Sequence, residues 1–153
     1  MSSLRIVRLC DEHGRIVEPV LLAAALPVHR QLRPMLPADA DAYVAKMARI
    51  CSYGARLIAA LDDAGKVVAL GLYRIYENTY EDLRLYLDDL VTDEAVRSQG
   101  VGRQMLDWCE AEARHHGCGF LVLDSGTWRT AAHKLYLSYG FVISSFHFTK
   151  PLQ

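Results

Sequence analysis

Between residues 83 and 124 the chain passes from a strand pattern, through a short loop holding Gly100 and Gly102, into a helix pattern and back to a strand. Residues 83–92 alternate, with Tyr86 and Asp88 expected on one face and Leu87 and Asp89 on the other. Residues 100–116 carry Val101, Met105, Trp108 and Cys109 along an apolar stripe, with His115 and His116 in the last turn and Gly117 as the stop. Residues 120–124 read as a short buried strand. A strand–helix–strand unit joins its strands in parallel through a right-handed crossover. The chain must therefore build a sheet with a parallel pair and a helix on its face.

The flanking segments complete that sheet. Residues 4–9 alternate as a strand, and residues 17–26 read as a helix stopped near Pro27. Pro37-Ala38-Asp39 opens a second helix that runs to about Cys51, with Gly54 beyond it. Residues 56–61 and 66–76 form a hairpin across the turn Asp62-Asp63-Ala64-Gly65. Residues 129–139 form a helix closed by Gly140, and residues 141–148 are expected to form the last strand. The order β-α-α-β-β-β-α-β-α-β predicts an α/β fold with a mixed, mostly antiparallel sheet, parallel near its middle and flanked by helices.

At 153 residues, without repeats or low-complexity linkers, residues 1–153 read as a single domain. A hydrophobic share of 52% excludes a disordered chain. The formal net charge of -1 excludes a dedicated nucleic-acid binder, which needs a basic face. No apolar run approaches the roughly 18 residues of a membrane span, and Arg5 and Arg8 interrupt the first apolar stretch, unlike a signal peptide. Cys10, Cys51, Cys109 and Cys118 are widely spaced, with no C-x-x-C pair, so neither a zinc site nor a disulfide framework is expected. Four reduced thiols fit a cytoplasmic protein.

Charge is segregated. From Glu77 to Glu94 there are seven acids and one base, Arg84, whereas after Asp124 the charged residues are Arg129, Lys134 and Lys150. The first stretch suits a cation and the second an anion, unless both are solvated faces.

The sharpest motif is Arg97-Ser98-Gln99-Gly100-Val101-Gly102, placed between strand and helix. Free backbone N–H groups and the helix dipole attract an anion there, and the two glycines let a phosphate approach the backbone. It is neither a Walker A loop nor G-x-G-x-x-G.

With residues 90–96 before it and Arg103 after it, this motif resembles the Q/R-x-x-G-x-G/A loop of the GNAT acyltransferase superfamily. Downstream, residues 132–141 are similar to that family's Leu/Phe-Tyr-x-x-x-Gly-Phe segment, through Leu135, Tyr136, Gly140 and Phe141. The resemblance covers roughly residues 55–148. It implies a GNAT-like sheet whose parallel pair splays to admit acetyl-CoA, and transfer of acetyl to a primary amine of a small molecule or peptide by direct attack. A non-catalytic acetyl-CoA sensor is the alternative.

The resemblance implies that Leu90, Val91 and Thr92 lie along the pantetheine arm. It also implies that the backbone of Ser98, Gln99, Gly100, Val101, Gly102 and Arg103, with Arg97 beside it, holds the pyrophosphate. Tyr136 would protonate the leaving thiolate, since a phenol and an alkyl thiol are close in acidity. Arg129, His133 and Tyr136 share one helix face at spacings of four and three, and the first two are candidates for contact with CoA. The family often has Asn where Arg129 stands. Asp124 and Asp89 are the candidate general bases, with Asp124 ahead. No metal is expected. The partners expected are the amine acceptor, with no nucleic acid or membrane and a homodimer as one possible assembly. The acids from Glu77 to Glu94 are expected to border the acceptor side of the cleft and to favour basic amines.

Overall fold

The computed structural model describes residues 3–153. The elements are β1 (Arg5–Arg8), α1 (Pro19–Leu32), α2 (Ala40–Ser52), β2 (Ala55–Leu61), β3 (Val67–Asn78), β4 (Asp82–Thr92), α3 (Val101–His115), β5 (Phe120–Leu123) and α4 (Thr130–Tyr139). The sheet order is β1-β2-β3-β4-β5, antiparallel except for the parallel β4–β5 pair that the strand–helix–strand pattern requires.

Helix α1 runs through Pro27 rather than ending there. An internal proline removes one N–H and costs roughly 3 kcal/mol. Tertiary contacts outweigh that cost. Leu26 and Val28 are buried, and His29, two residues past the proline, is buried in hydrogen bonds to α2 and β4. Helix α2 starts as its sequence predicts, with the Asp39 carboxylate accepting from Ala42 N–H at 2.8 Å.

Two cores share the sheet. Leu22, Tyr43, Met47, Leu57, Leu70 and Val91 fill the face under α1 and α2. Ile58, Leu85, Leu87, Met105, Leu106 and Cys109 fill the face under α3. The four cysteines are free thiols, three of them buried.

One irregularity in β4 shapes the site. Leu72 pairs with Asp89 and the next residue, Tyr73, pairs with Leu87, so Asp88 is an extra residue bulged out of the ladder. Strict alternation puts Leu87 and Asp89 on the same face, but the bulge reverses the parity. Leu87 packs under α3, whereas Asp89 and Val91 face α1. The β4–β5 ladder also ends here, at Leu87 opposite Leu123.

Two expectations for the end of the chain do not hold. Strand β5 is half-exposed rather than buried, with Phe120 49% exposed. Residues 141–148 form no strand. Their pattern is strand-like, but a strand needs a partner ladder, and none reaches these residues within the described chain.

Candidate active site

Where the parallel ladder stops, β4 and β5 part and open a cleft of about 1320 Å³. One wall is Leu87 to Thr92, the floor is the loop from Arg97 into α3, and the other wall is Leu123 to Tyr136. Divergent parallel strands expose backbone donors and acceptors that would otherwise pair, and an extended ligand can take them.

The loop is shaped for an anion. Ser98 has φ +65° and Gly100 φ +79°, both left-handed. Left-handed residues among ordinary ones curl successive N–H groups inward into an anion nest. A serine held in that region is strained, and such strain concentrates at functional loops. Gly102 lines the cleft and also meets α4. A Cβ there would sit 3.0 Å from Leu135 Cδ2, so this glycine lets α4 pack against the first turn of α3.

The sequence-predicted residues divide by place. Leu90, Val91, Thr92, Arg97, Ser98, Gly100, Val101, Gly102 and Arg103 line the cleft, as do Asp89, Asp124, Arg129 and Tyr136. Gln99 instead faces a smaller cavity of about 430 Å³ behind the loop, beside Leu4 and Asp62. His133 is not among the lining residues, and its Nε2 lies 2.8 Å from the Gly126 carbonyl.

Asp89 is anchored on both oxygens. His29 Nε2 is 2.7 Å from Oδ2, while Arg33 reaches Oδ1 through Nε at 3.0 Å and Nη2 at 2.7 Å. The other His29 nitrogen meets the Tyr43 hydroxyl at 2.8 Å. Burial alone would push the Asp89 carboxyl up, but the hydrogen bonds and charges of His29 and Arg33 outweigh it and hold it below the usual range.

Asp124 is more open, 42% exposed at its side chain. It accepts a hydrogen bond from the Tyr86 hydroxyl, and His147 Nδ1 lies 3.2 Å away. Burial pushes the Tyr136 phenol up, partly countered by the Arg129 charge, so Tyr136 keeps its proton at neutral pH.

Four of the seven acids of the acidic stretch are paired with bases, while Glu77, Asp82 and Glu94 are exposed and lie outside the cleft lining. Arg74 holds Asp88 in a two-point pair at 2.8 and 3.0 Å, Arg33 holds Asp89, Arg84 holds Glu81 at 2.7 Å and Lys66 holds Asp93 at 3.3 Å. The only members that reach the cleft wall, Asp88 and Asp89, are both neutralised there. The charge count could not show these partners, because Arg33, Lys66 and Arg74 lie outside the acidic stretch.

Sequence reasoning also missed His29, Arg33, Arg74 and Tyr86. A signal existed for the first two: four residues apart, they share a face of α1 once the helix is carried past Pro27.

Comparison with known proteins agrees with this geometry. Residues 27–141 match the Acetyltransferase (GNAT) family. The chain belongs to that family. It is 32% identical over 133 residues to YhdJ, an uncharacterized N-acetyltransferase of Bacillus subtilis strain 168, covering 85% of this chain and 91% of that protein. It is 39% identical over 66 residues, 43% of each chain, to the aminoalkylphosphonate N-acetyltransferase of Salmonella typhimurium strain LT2. Among solved structures, the aminoglycoside N-acetyltransferase AAC(6')-Iy in complex with CoA superposes with a TM-score of 0.75 at 18% identity, covering 100% of this chain and 97% of that one. This GNAT protein is an acetyl-CoA-dependent N-acetyltransferase.

Proposed function

We propose that this GNAT enzyme acetylates a small-molecule primary amine, with Asp124 as the proton acceptor and Tyr136 as the proton donor. The observation that carries the reading is the cleft itself. The β4–β5 ladder ends at Leu87, next to the Asp88 bulge, and the opening has an anion nest at its floor and both a carboxylate and a protonated phenol on its walls. The fit to CoA rests on the same features. Residues 98–103 offer N–H groups to a pyrophosphate, and Leu90 to Thr92 offer a free strand edge to the pantetheine amides.

Bound acetyl-CoA supplies the acetyl group as a thioester. Asp124 takes the proton that the amine nitrogen gives up as its bond to the acetyl carbon forms. Tyr136 gives its proton to the sulfur as the carbon–sulfur bond breaks. Asp89 is a positioning residue, because both its oxygens are occupied and its depressed pKa makes it a poor base. Retention of a proton donor and a proton acceptor in the cleft favours catalysis over a sensor role.

The Bacillus and Salmonella relatives are named N-acetyltransferases, the second for an aminoalkylphosphonate. Arg33 and Arg74 stand at this cleft, though each is spent on a carboxylate. The acceptor is best found by following thiol release from acetyl-CoA over amines, polyamines, aminoglycosides, aminoalkylphosphonates and peptides. With the best acceptor, Asp124→Asn should lower kcat roughly 100-fold, within the range of general base catalysis, while CoA affinity is kept. An unchanged kcat would remove Asp124 from the reaction.

A further inference from the structure

The end of the cleft away from the phosphate loop holds more cationic donors than its aspartates use. Across the β3–β4 ladder Arg74 pairs with Tyr86, whereas Ala69 pairs with Thr92, where the wall meets the loop. Five residues at about 3.4 Å each place Arg74 roughly 17 Å along β3 from that end. An anion held by the loop is out of its reach.

Three guanidinium groups converge at this far end. Arg33, just past α1, donates Nη2 to the Asp88 carbonyl at 3.4 Å, and Arg74 donates to the Asp88 carboxylate. Arg129, just before α4, donates Nη2 at 3.4 Å to the carbonyl of Leu32, the chain neighbour of Arg33. All three line the cleft. Asp88 and Asp89 offset two of the charges, and Arg129 has no carboxylate partner among the described residues.

The pairing leaves donors over. A guanidinium carries five N–H groups in a fixed fork. Asp88 takes Nε and Nη2 of Arg74, while Asp89 and the Asp88 carbonyl take Nε and Nη2 of Arg33. Nη1 of each bonds to nothing among the described residues, and the two side chains are 42% and 43% exposed. The carboxylates fix the forks, and the Tyr76 and Tyr86 rings, 5.4 and 5.5 Å from the Arg74 guanidinium, brace it. Donors already held in place lose little freedom when an anion binds.

Tyr86 ties this cluster to the chemistry. Its ring lies beside Arg74 and its hydroxyl donates to Asp124. The cationic cluster and the proton acceptor thus stand about one tyrosine side chain apart. Such a site complements a small zwitterion, with the ammonium at the carboxylate and the anion at the guanidinium groups. Building on the acetyl transfer to a small amine proposed above, we infer that the acceptor is a short primary amine carrying a carboxylate or phosphonate. Arg74, with Arg33 beside it, sets that preference through the free Nη1 donors. The preference is the reverse of the one for basic amines expected from the count of acids.

Thiol release from acetyl-CoA, compared for β-alanine, aminoethylphosphonate, ethanolamine and diaminopropane, tests this. The two anionic amines should exceed the other two in kcat/KM by roughly 10- to 100-fold, the scale of a charge-assisted hydrogen bond. The better of the two tells carboxylate from phosphonate. Arg74→Gln should remove most of that advantage through KM, and Arg74→Lys, which keeps the charge without the fork, should restore part of it. A merely structural Arg74 would lower turnover of all four amines alike. Unchanged ratios in Arg74→Gln would therefore overturn the assignment, as would ethanolamine or diaminopropane as the best acceptor. Should Arg74→Gln misfold, the double variant Arg74→Gln, Asp88→Asn removes the pair together and carries the same expectation. If none of the four is acetylated, the small-amine reading fails on its own, and calorimetry of the two anionic amines on the CoA-loaded protein decides the anion site. Saturable binding that weakens in Arg74→Gln is expected there, and no binding would contradict it.

Discussion

The chain up to Ala113 and the chain after it are built to different standards. Before that point, two cores cover both faces of the sheet, and His29, Tyr43, Asp89 and Arg33 form one connected polar cluster. After Ala113 no described residue is buried. Yet this second region carries Asp124, Tyr136 and the outer wall of the cleft. The first region is a rigid platform whose groups serve one another. The second keeps its groups accessible, and an open cleft between parting strands requires such a region.

The contrast breaks most sharply at its two aspartates. Asp89→Ala should destabilise the fold by about 2–3 kcal/mol, since it leaves the buried His29 ring without its partner, while Arg33, 43% exposed, can turn to water. Asp124→Ala should cost under about 1 kcal/mol of stability, because its partners can turn to water, while its effect falls on turnover. Denaturant unfolding of both variants checks this, and equal losses would erase the distinction.

The pH dependence follows the same line. Asp89 has its folded pKa held below the unfolded value of about 3.9. Its contribution is therefore complete above that unfolded value and is lost as pH falls through the depressed folded one. Acid unfolding of wild type and Asp89→Asn should show a stability gap that is constant near neutrality and narrows below about pH 4. A gap that widens in acid would contradict the assignment.

Much of the platform was legible in the sequence, and much of the second region was not. The Gly100–Gly102 loop, the Asp39 cap and the parallel β4–β5 pair follow from local patterns. The bulge at Asp88 does not, because it is a register choice between β3 and β4 that alternation within one strand cannot register. Pro27 misled for a related reason, since the contacts that carry α1 past it come from Asp89 and Tyr43 on distant elements. The role of Gly102 against Leu135 was hidden because two helices must dock before the close approach exists. Residues 141–148 have a strand's pattern but no ladder among the described residues, and pattern alone does not supply one.

Smaller effects sharpen the account at the loop. Gly100→Ala forces a side chain into the left-handed region and should cost about 1–2 kcal/mol. Ser98→Gly releases strain of the same origin and should be neutral or stabilising by up to about 1 kcal/mol. Thermal melts with and without CoA check both, with the ligand-induced rise in Tm kept in Ser98→Gly.

Tyr136 carries the central claim, that this open region performs acetyl transfer. In Tyr136→Phe, kcat for thiol release with the best acceptor should fall by roughly 10- to 1,000-fold, the scale of lost general acid catalysis, with CoA affinity by calorimetry unchanged. Full turnover in the folded Tyr136→Phe enzyme would contradict that claim.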